Sequence, residues 1–534
     1  MKKIIISVIF LIVSTWSVWG QRADYNVVPR PQSVVLSDKP SFCLDANTRI
    51  AYPEGDEKME RNAHFLREYI QKCTGLRPAL TTVLRKASAN TIWLVLDDRK
   101  TADEGYTLTV DARHIIIAGK TAAGVFYGIQ TLRKSLPVGS FARVDMPTAT
   151  VVDFPRFAYR GMMLDCGRHF LPVSFVKEFI DLMAMHNMNR FHWHLTEDQG
   201  WRIEIKKYPL LTAIGSVRRE TCMGKSNLGD GRPYGGYYTQ DQAREIVEYA
   251  RQRHITVIPE IDMPGHQLST LASYPYLGCT GGPYEVGTRW GVYPDILCFG
   301  NELTYQFCED VLSEMLNIFP SPVFHIGGDE VPTKRVAECP KCKELMAREH
   351  LTLKTVQGYF TNRIEKFLNA HGRRIMGWDE ILEGDINRSA IVHCWRDLSH
   401  GVKAAQQGHD VVMSPTKYCY LDYYQTADRY AEPQAMGGNL PLETVFNMVA
   451  VPDDISEENR GHILGIQANL WTEFISNANY AEYMLLPRMA AVSENAWVTR
   501  RGGYQDFMSR ITRLRSLYDA YGLHYARHAW NKKK

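Results

Sequence analysis

Past Gly20 the chain has no apolar run approaching the ~20 residues a membrane-spanning helix needs. It also lacks internal repeats and low-complexity tracts, which excludes solenoids, arrays and disordered tails. Charge of one sign is missing too. Lys and Arg number 62 against 59 Asp and Glu, a formal net charge of +3. Without Lys2 and Lys3, which lie in a segment expected to be removed, the balance is 60 to 59. Nothing in it favours nucleic acid or an anionic membrane as a partner. No cysteine precedes Cys43, so a lipid-anchored N-terminus is not expected. The eleven cysteines are an odd count, leaving at least one outside intramolecular disulfides. Cys339-Pro340-Lys341-Cys342 could hold a disulfide or half of a zinc site, but no second CxxC completes a four-cysteine cluster. Cys279 and Cys298 flank a Gly-rich loop and could close it in an oxidising compartment. The expectation is therefore disulfides rather than zinc, with no metal and no cofactor.

What is present is globular. Apolar residues make up 45% and charged residues 23% of 534, a length comfortable for two or three domains. Met1-Lys2-Lys3 leads into apolar Ile4–Val13, and Ser14–Gly20 is smaller and more polar. That is the grammar of a signal peptide cut near Gly20, and it predicts export to the periplasm or beyond.

Residues 21–152 carry short strands (Thr91–Leu96, Tyr106–Val110, Ile115–Ala118) and helical patterns near Lys58–Lys72 and Thr121–Lys134. They predict a small α+β domain of four or more strands, with no visible active-site motif. Pro155 marks a boundary. From 153 to 500, eight apolar runs alternate with amphipathic stretches. The predicted strands are Tyr159–Leu164, Asn189–Leu195, Ile255–Ile261, Val323–Ile326, Arg374–Trp378, Ala390–Trp395, Asp410–Met413 and Ile463–Ala468. Helical periodicity covers Val173–His186, Gln240–Arg253, Leu303–Ile318 and Thr355–Ala370, with Thr239 and Gln242 spaced for a capping box. The pattern predicts an α/β fold, a (β/α)8 TIM barrel. Residues 501–534 are expected to be a basic, partly helical tail on that barrel.

Such a barrel concentrates chemistry at the C-terminal ends of its strands. Every predicted strand is followed there by polar or aromatic residues: Arg168 and His169; His192, His194, Glu197 and Asp198; Asp262 and His266; Asp329 and Glu330; Trp378, Asp379 and Glu380; Trp395; Tyr420 and Asp422; Trp471 and Glu473. The segment His325-Ile326-Gly327-Gly328-Asp329-Glu330 runs a buried strand through two glycines into adjacent carboxylates. Two close carboxylates repel, so one tends to keep a proton, giving an acid beside an anion. Trp378, Trp395 and Trp471 offer indoles for the apolar face of a sugar ring. Arg168, Asp422 and Glu473 offer partners for its hydroxyls.

These motifs, together with His192-Trp193-His194-Leu195, Asp198-Gln199-Gly200-Trp201, Asp262-Met263-Pro264-Gly265-His266, Gly377-Trp378-Asp379-Glu380 and Leu470-Trp471-Thr472-Glu473, resemble glycoside hydrolase family 20, the β-N-acetylhexosaminidases. The likeness runs from Val28-Pro29-Arg30-Pro31 to Glu494-Asn495-Ala496-Trp497. It implies an exo-acting, retaining enzyme that removes terminal N-acetylglucosamine or N-acetylgalactosamine from glycans by substrate-assisted catalysis. Glu330 would then be the general acid and base. Asp329 would orient the substrate's 2-acetamido group, whose carbonyl oxygen attacks the anomeric carbon. Tyr420 would hold that carbonyl, and the three tryptophans would wall the pocket. Arg168 would bind the 3- and 4-hydroxyls, with Asp422 and Glu473 at the 4- and 6-hydroxyl end. His266, near Asp262, would support the acid. Where the family often has Asp-Asp before Gln, this chain has Glu197-Asp198-Gln199, so Glu197 reaches the arginine with a longer arm.

Two other readings fit part of the pattern. His192-Trp193-His194 has the spacing of a metal site, which would make the chain a metal-dependent barrel hydrolase with His266 or Asp329 as further ligands. A non-catalytic sugar-binding barrel would use the tryptophans and Arg168 alone. Neither a monomer nor a homodimer is selected by the sequence.

Overall fold

The computed structural model describes residues 21–83, 89–100 and 102–531, so the signal-peptide expectation lies outside the described residues. Eight parallel strands close into a barrel. They are β1 (Tyr159–Asp165), β2 (Arg190–His194), β3 (Thr256–Glu260), β4 (Val323–His325), β5 (Arg374–Trp378), β6 (Ile391–Cys394), β7 (Val411–Met413) and β8 (Ile463–Leu470). All eight predicted strands are present, each end within two residues of the periodicity. Closure depends on β8 lying against β1, and Gly465 makes it possible. Its φ is +157°, and a Cβ there would stand 1.8 Å from the Tyr159 carbonyl oxygen.

The helices that cover the barrel include α1 (Val173–Met185), α2 (Gln240–Arg251), α3 (Glu302–Leu316), α4 (Pro340–Arg348), α5 (Val356–Ala370), α6 (Leu398–Gln406) and α7 (Arg488–Trp497). Thr239 and Gln242 form the full capping box at the start of α2. Strand residues alternate between two environments, as pleating requires. Met162, Leu164, Phe191 and Trp193 join the large core beneath the helices. The inward positions form layers. Tyr159, Ile258, Met376, Ile391 and Val412 fill the floor. Buried His192, His325, His393 and Gln467 lie above them. Met163, Trp378, Tyr420 and Trp471 close the top. The interior thus turns from aliphatic to polar and aromatic toward the C-terminal ends.

The small domain, expected to hold four or more strands, has a seven-stranded mixed sheet and a three-stranded one. Its helix Ala122–Ser135 is buried almost throughout, because it is covered by the sheet and by the barrel. Glu104 pairs with Arg160 at 2.7 Å across that seam. Lys134 Nζ donates to the Met185 carbonyl and to Asn187 Oδ1, each at 3.1 Å. The last long helix, α8 (Tyr504–Tyr521), packs into the same seam rather than on the barrel alone. Arg510 pairs with Glu494 at 2.7 Å and donates to the Val27 carbonyl, while the Arg133 guanidinium lies over the Tyr521 ring.

Candidate active site

The strand β4 ends at His325, and the chain then makes a turn that only glycine permits. Gly327 and Gly328 have φ of +69° and +93°. A Cβ on Gly327 would fall 1.7 Å from Asp262 Oδ1, and the Gly328 N–H donates to that same oxygen at 3.2 Å. Glu330 follows with φ +47°, a left-handed conformation costly for a residue with a side chain. This turn separates the two carboxylates by environment. The Asp329 side chain is 12% exposed and that of Glu330 is 42% exposed.

His266 joins them. Its Nε2 lies 3.5 Å from Glu330 Oε2 and 3.9 Å from Asp329 Oδ2. Its Nδ1 lies 3.1 Å from Asp198 Oδ2 and 3.2 Å from Glu197 Oε2. Burial alone would keep the imidazole neutral, yet Glu197 and Asp198 hold its pKa well above the ordinary value. The contact with this imidazolium lowers the pKa of Glu330, whereas burial and the charges of Glu260 and Glu330 raise that of Asp329. In the free protein the proton therefore favours the buried aspartate and the histidine over the glutamate.

The predicted indoles and tyrosine come together as one cluster. Trp378 and Trp471 have ring centroids 5.7 Å apart, Tyr420 and Trp471 6.3 Å, and Trp395 stacks on Tyr420 at 6.1 Å. Trp378 Nε1 donates to Glu260 Oε1 at 3.0 Å, and Trp395 Nε1 to Glu380 Oε2 at 2.8 Å. On the far side, Arg168 lies over the Trp471 ring at 4.8 Å, its Nη2 2.5 Å from Glu197 Oε1. Glu473 joins this group; burial lifts its pKa to about 7 against the pull of Arg168. Asp422 is buried, and burial beside Glu473 raises it well above the carboxylate range. Among the described residues, Arg168 Nη1, Asp329 Oδ1, Asp422 Oδ1 and Glu473 Oε2 are buried with no hydrogen-bond partner. Buried polar atoms without partners are costly, and a polyhydroxylated ligand is the chemistry that satisfies them.

Three residues of the site were not assigned from the sequence. Glu260, at the end of β3, lies 2.8 Å from His192 Nε2 and 3.0 Å from His325 Nδ1 and is hydrogen-bonded to His194 Nδ1. Despite burial, these imidazoles hold its pKa well below the ordinary value. Asp198 is a closer partner for His266 than the expected Asp262, which instead anchors the glycine turn. Glu380, raised to about 8 by burial and by Asp329, is a neutral carboxyl near the pair. The alternation Glu260-x-Asp262 at a strand end was the available signal for the first.

Among the described residues five groups could hold a metal: three are formed in the site itself around Glu197, Asp262 and His266, and there are two others. His192, His325 and His393 cluster in the barrel, with His192 and His325 each directing a nitrogen at Glu260. The second departs from the sequence reading. Cys279, Cys298, Cys339 and Cys342 gather into one group instead of two separate pairs, and none of the eleven cysteines is disulfide-bonded. The missing half of the CxxC is supplied by two cysteines from another loop, a proximity made by folding.

A parallel barrel whose mouth combines adjacent carboxylates, an indole cluster and an arginine held by acids defines the class of the glycosyl hydrolases. Residues 157–500 match "Glycosyl hydrolase family 20, catalytic domain", and residues 24–154 match "Glycosyl hydrolase family 20, domain 2". The chain belongs to glycosyl hydrolase family 20. It is 41% identical over 510 residues to a beta-hexosaminidase of Porphyromonas gingivalis, covering 94% of this chain and 64% of that protein's length. A Vibrio harveyi GH20 exo beta-N-acetylglucosaminidase, solved in complex with N-acetylglucosamine, superposes with TM-score 0.83 at 31% identity, over 96% of this chain and 80% of that one. A Streptomyces plicatus N-acetyl-beta-hexosaminidase, solved with Thio-NAglucal, gives TM-score 0.82 at 30% identity, over 94% and 96%.

Proposed function

We propose that the chain is an exo-acting, retaining β-N-acetylhexosaminidase that removes terminal β-linked N-acetylglucosamine or N-acetylgalactosamine from glycans. The observation that carries this reading is the junction at His266, where Asp329 and Glu330 meet beside the box of Trp378, Trp395, Tyr420 and Trp471. The family membership and the ligands of the Vibrio and Streptomyces proteins support it.

The substrate's acetamido oxygen attacks the anomeric carbon as Glu330 protonates the departing glycosidic oxygen, giving an oxazolinium and an alcohol. Water, deprotonated by Glu330, then opens the ring with a second inversion. Asp329 orients the acetamide N–H and balances the charge that develops there. An attacking group inside the substrate benefits from effective molarities of ~10⁵ M or more when aligned. Glu330 is depressed in the free protein, but a bound sugar removes water from its exposed side chain. That desolvation raises its pKa toward the value a general acid needs. The basic start and apolar run of residues 1–20 support export.

The test is hydrolysis of defined N-acetylated oligosaccharides with the anomeric form of the released sugar followed by NMR. Release of single β-configured residues from non-reducing ends is expected. Initial release of the α anomer, or internal cleavage, overturns the reading.

A further inference from the structure

We propose that Cys279, Cys298, Cys339 and Cys342 form a structural zinc site that fastens the long loop after β3 to the segment that follows Glu330. The four sulfurs lie within 4.8 Å of one another. Cys298 Sγ is 3.6 Å from Cys342 Sγ and 3.7 Å from Cys339 Sγ, and Cys279 Sγ is 3.8 Å from Cys342 Sγ. Four thiolates at the tetrahedral Zn–S distance of about 2.3 Å have sulfurs about 3.8 Å apart. A disulfide would bring its pair to about 2.05 Å. The spacing has a second property. Cys298 lies within 3.7 Å of two sulfurs and Cys342 within 3.8 Å of two, so neither of them has a single partner. That is the arrangement of four ligands about one centre.

The backbone is shaped for it. Cys279 and Cys298 stand beside an antiparallel bridge between Gly278 and Leu297, and the Cys298 N–H donates to the Leu277 carbonyl at 2.8 Å. Cys339 caps α4 and Cys342 lies in its first turn, where free amides favour thiolates. The Gly300 N–H is directed at the Cys342 sulfur. Gly300 itself leaves no room for a side chain: a Cβ would stand 2.1 Å from the Lys341 carbonyl oxygen. The loop and the first turn of α4 therefore touch backbone to backbone at the cluster. Cys298, Cys339 and Cys342 are buried and Cys279 is half-buried, which leaves no open coordination position for substrate. Binding exchanges four thiol protons for one Zn²⁺, leaving a dianionic centre beside Lys341 and Lys343. Soft sulfur ligands in a tetrahedron select zinc among common ions.

The position gives the metal a purpose. The loop it holds carries Gly287, whose N–H donates to the Asp198 carbonyl at 2.9 Å, and Arg289, whose carbonyl accepts from Gln199 Nε2 at 2.8 Å. It also carries Asp295, 2.8 Å from Arg335 in the segment after Glu330. Asp198 is the residue that holds His266. The zinc thus ties together two walls of the catalytic mouth.

The test is the metal content of the full-length protein, purified without metal-affinity steps and dialysed against metal-free buffer. Elemental analysis should give about one zinc per chain, released stoichiometrically when an organomercurial titrates the thiols. Growth in cobalt-supplemented, zinc-depleted medium should give a protein with the charge-transfer and d–d bands of a tetrahedral tetrathiolate. Cys298→Ser combined with Cys342→Ser should abolish both signals, while Cys308→Ser, a buried cysteine elsewhere, should keep them. A metal-free protein with these cysteines as thiols overturns the proposal. So does a chain lighter by the hydrogens that disulfides remove, with peptide mapping linking these four, or one holding iron. Metal content is read without any sugar substrate, so this outcome is independent of the proposed glycosidase activity.

Discussion

His266 Nε2 stands 3.5 Å from Glu330 Oε2, while its Nδ1 is held by Asp198 and Glu197 at 3.1 and 3.2 Å. The imidazole and the glutamate therefore face each other in a site that also contains Asp329 and Asp262. In the free protein Glu197 and Asp198 keep a proton on His266, whose pKa is raised, and the imidazolium in turn depresses Glu330. Coupled groups titrate as a pair. The pair loses its proton only as pH rises through the raised histidine value, above the ordinary ~6.5.

The basic limb of kcat/KM against pH should accordingly lie above the ordinary histidine range for the parent enzyme. In His266→Asn only the carboxyls of the site remain to hold the proton, and the limb should move down from the histidine range, with kcat reduced. A limb that stays in place or moves up would show that His266 positions Glu330 without sharing its proton. The profile on an aryl N-acetyl-β-glucosaminide decides between them.

Glu330→Gln should lose about 10²–10⁴-fold in kcat on substrates with poor leaving groups. The loss should be much smaller on activated aryl glycosides, whose departure needs no proton. Asp329→Asn should impair both, because it acts on the attacking acetamide. Comparing kcat across a series of leaving-group pKa values checks both variants. If Asp329→Asn matched the parent, the substrate would not be supplying the nucleophile.

The barrel was legible because its strands are apolar runs bounded by polar clusters, and because a capping box such as Thr239–Gln242 is written locally. Asp329, Glu330 and the tryptophans were legible because they end strands whose C-terminal face must hold the site. Glu260 was harder to see. It lies within the same strand pattern, and only the inward turn of β3 brings His192, His194 and His325 around it. The charge order within the carboxylate pair was not legible at all, since it depends on His266 arriving from the preceding loop. The cysteine cluster failed for the same reason: sequence spacing paired Cys279 with Cys298 and Cys339 with Cys342, but the two pairs are distant in sequence and only folding joins them.

The seam between the domains carries a pH-dependent load. Lys134 is buried with the Met185 carbonyl and Asn187 as partners, and burial, with Arg133 nearby, lowers its pKa to about 7. The unfolded chain keeps that proton up to about pH 10.4. Between about pH 7 and 10 the unfolded state binds more protons than the folded one, so this residue's contribution to stability rises with pH, by up to about 1.4 kcal/mol per unit. Lys134→Met should remove the slope. Denaturant unfolding of parent and variant at pH 7 and pH 9.5 should show the parent gaining relative to the variant; a constant difference would mean that Lys134 stays charged in the fold.

Arg168 is enclosed by acids: Glu197 at 2.5 Å, Asp165 at 3.5 Å, and Glu473 close enough to feel its charge. Burial opposes its charge, yet these carboxylates hold the guanidinium firmly protonated. Removing it leaves buried anions unpaired, and losing one partner of a buried ion pair costs about 3–5 kcal/mol. Arg168→Gln should therefore lower Tm as well as raise KM for the sugar, through loss of the donor Nη1, which makes no hydrogen bond in the protein beyond its 3.5 Å ion pair with Asp165. Glu197→Asp separates the two effects. It keeps the charge but shortens the arm, so Tm should change little while the arginine retreats from the ring. A larger rise in KM for substrates with intact 3- and 4-hydroxyls than for their deoxy analogues would place Arg168 against those hydroxyls. An equal rise for both would remove it from sugar recognition and leave it a purely structural cation.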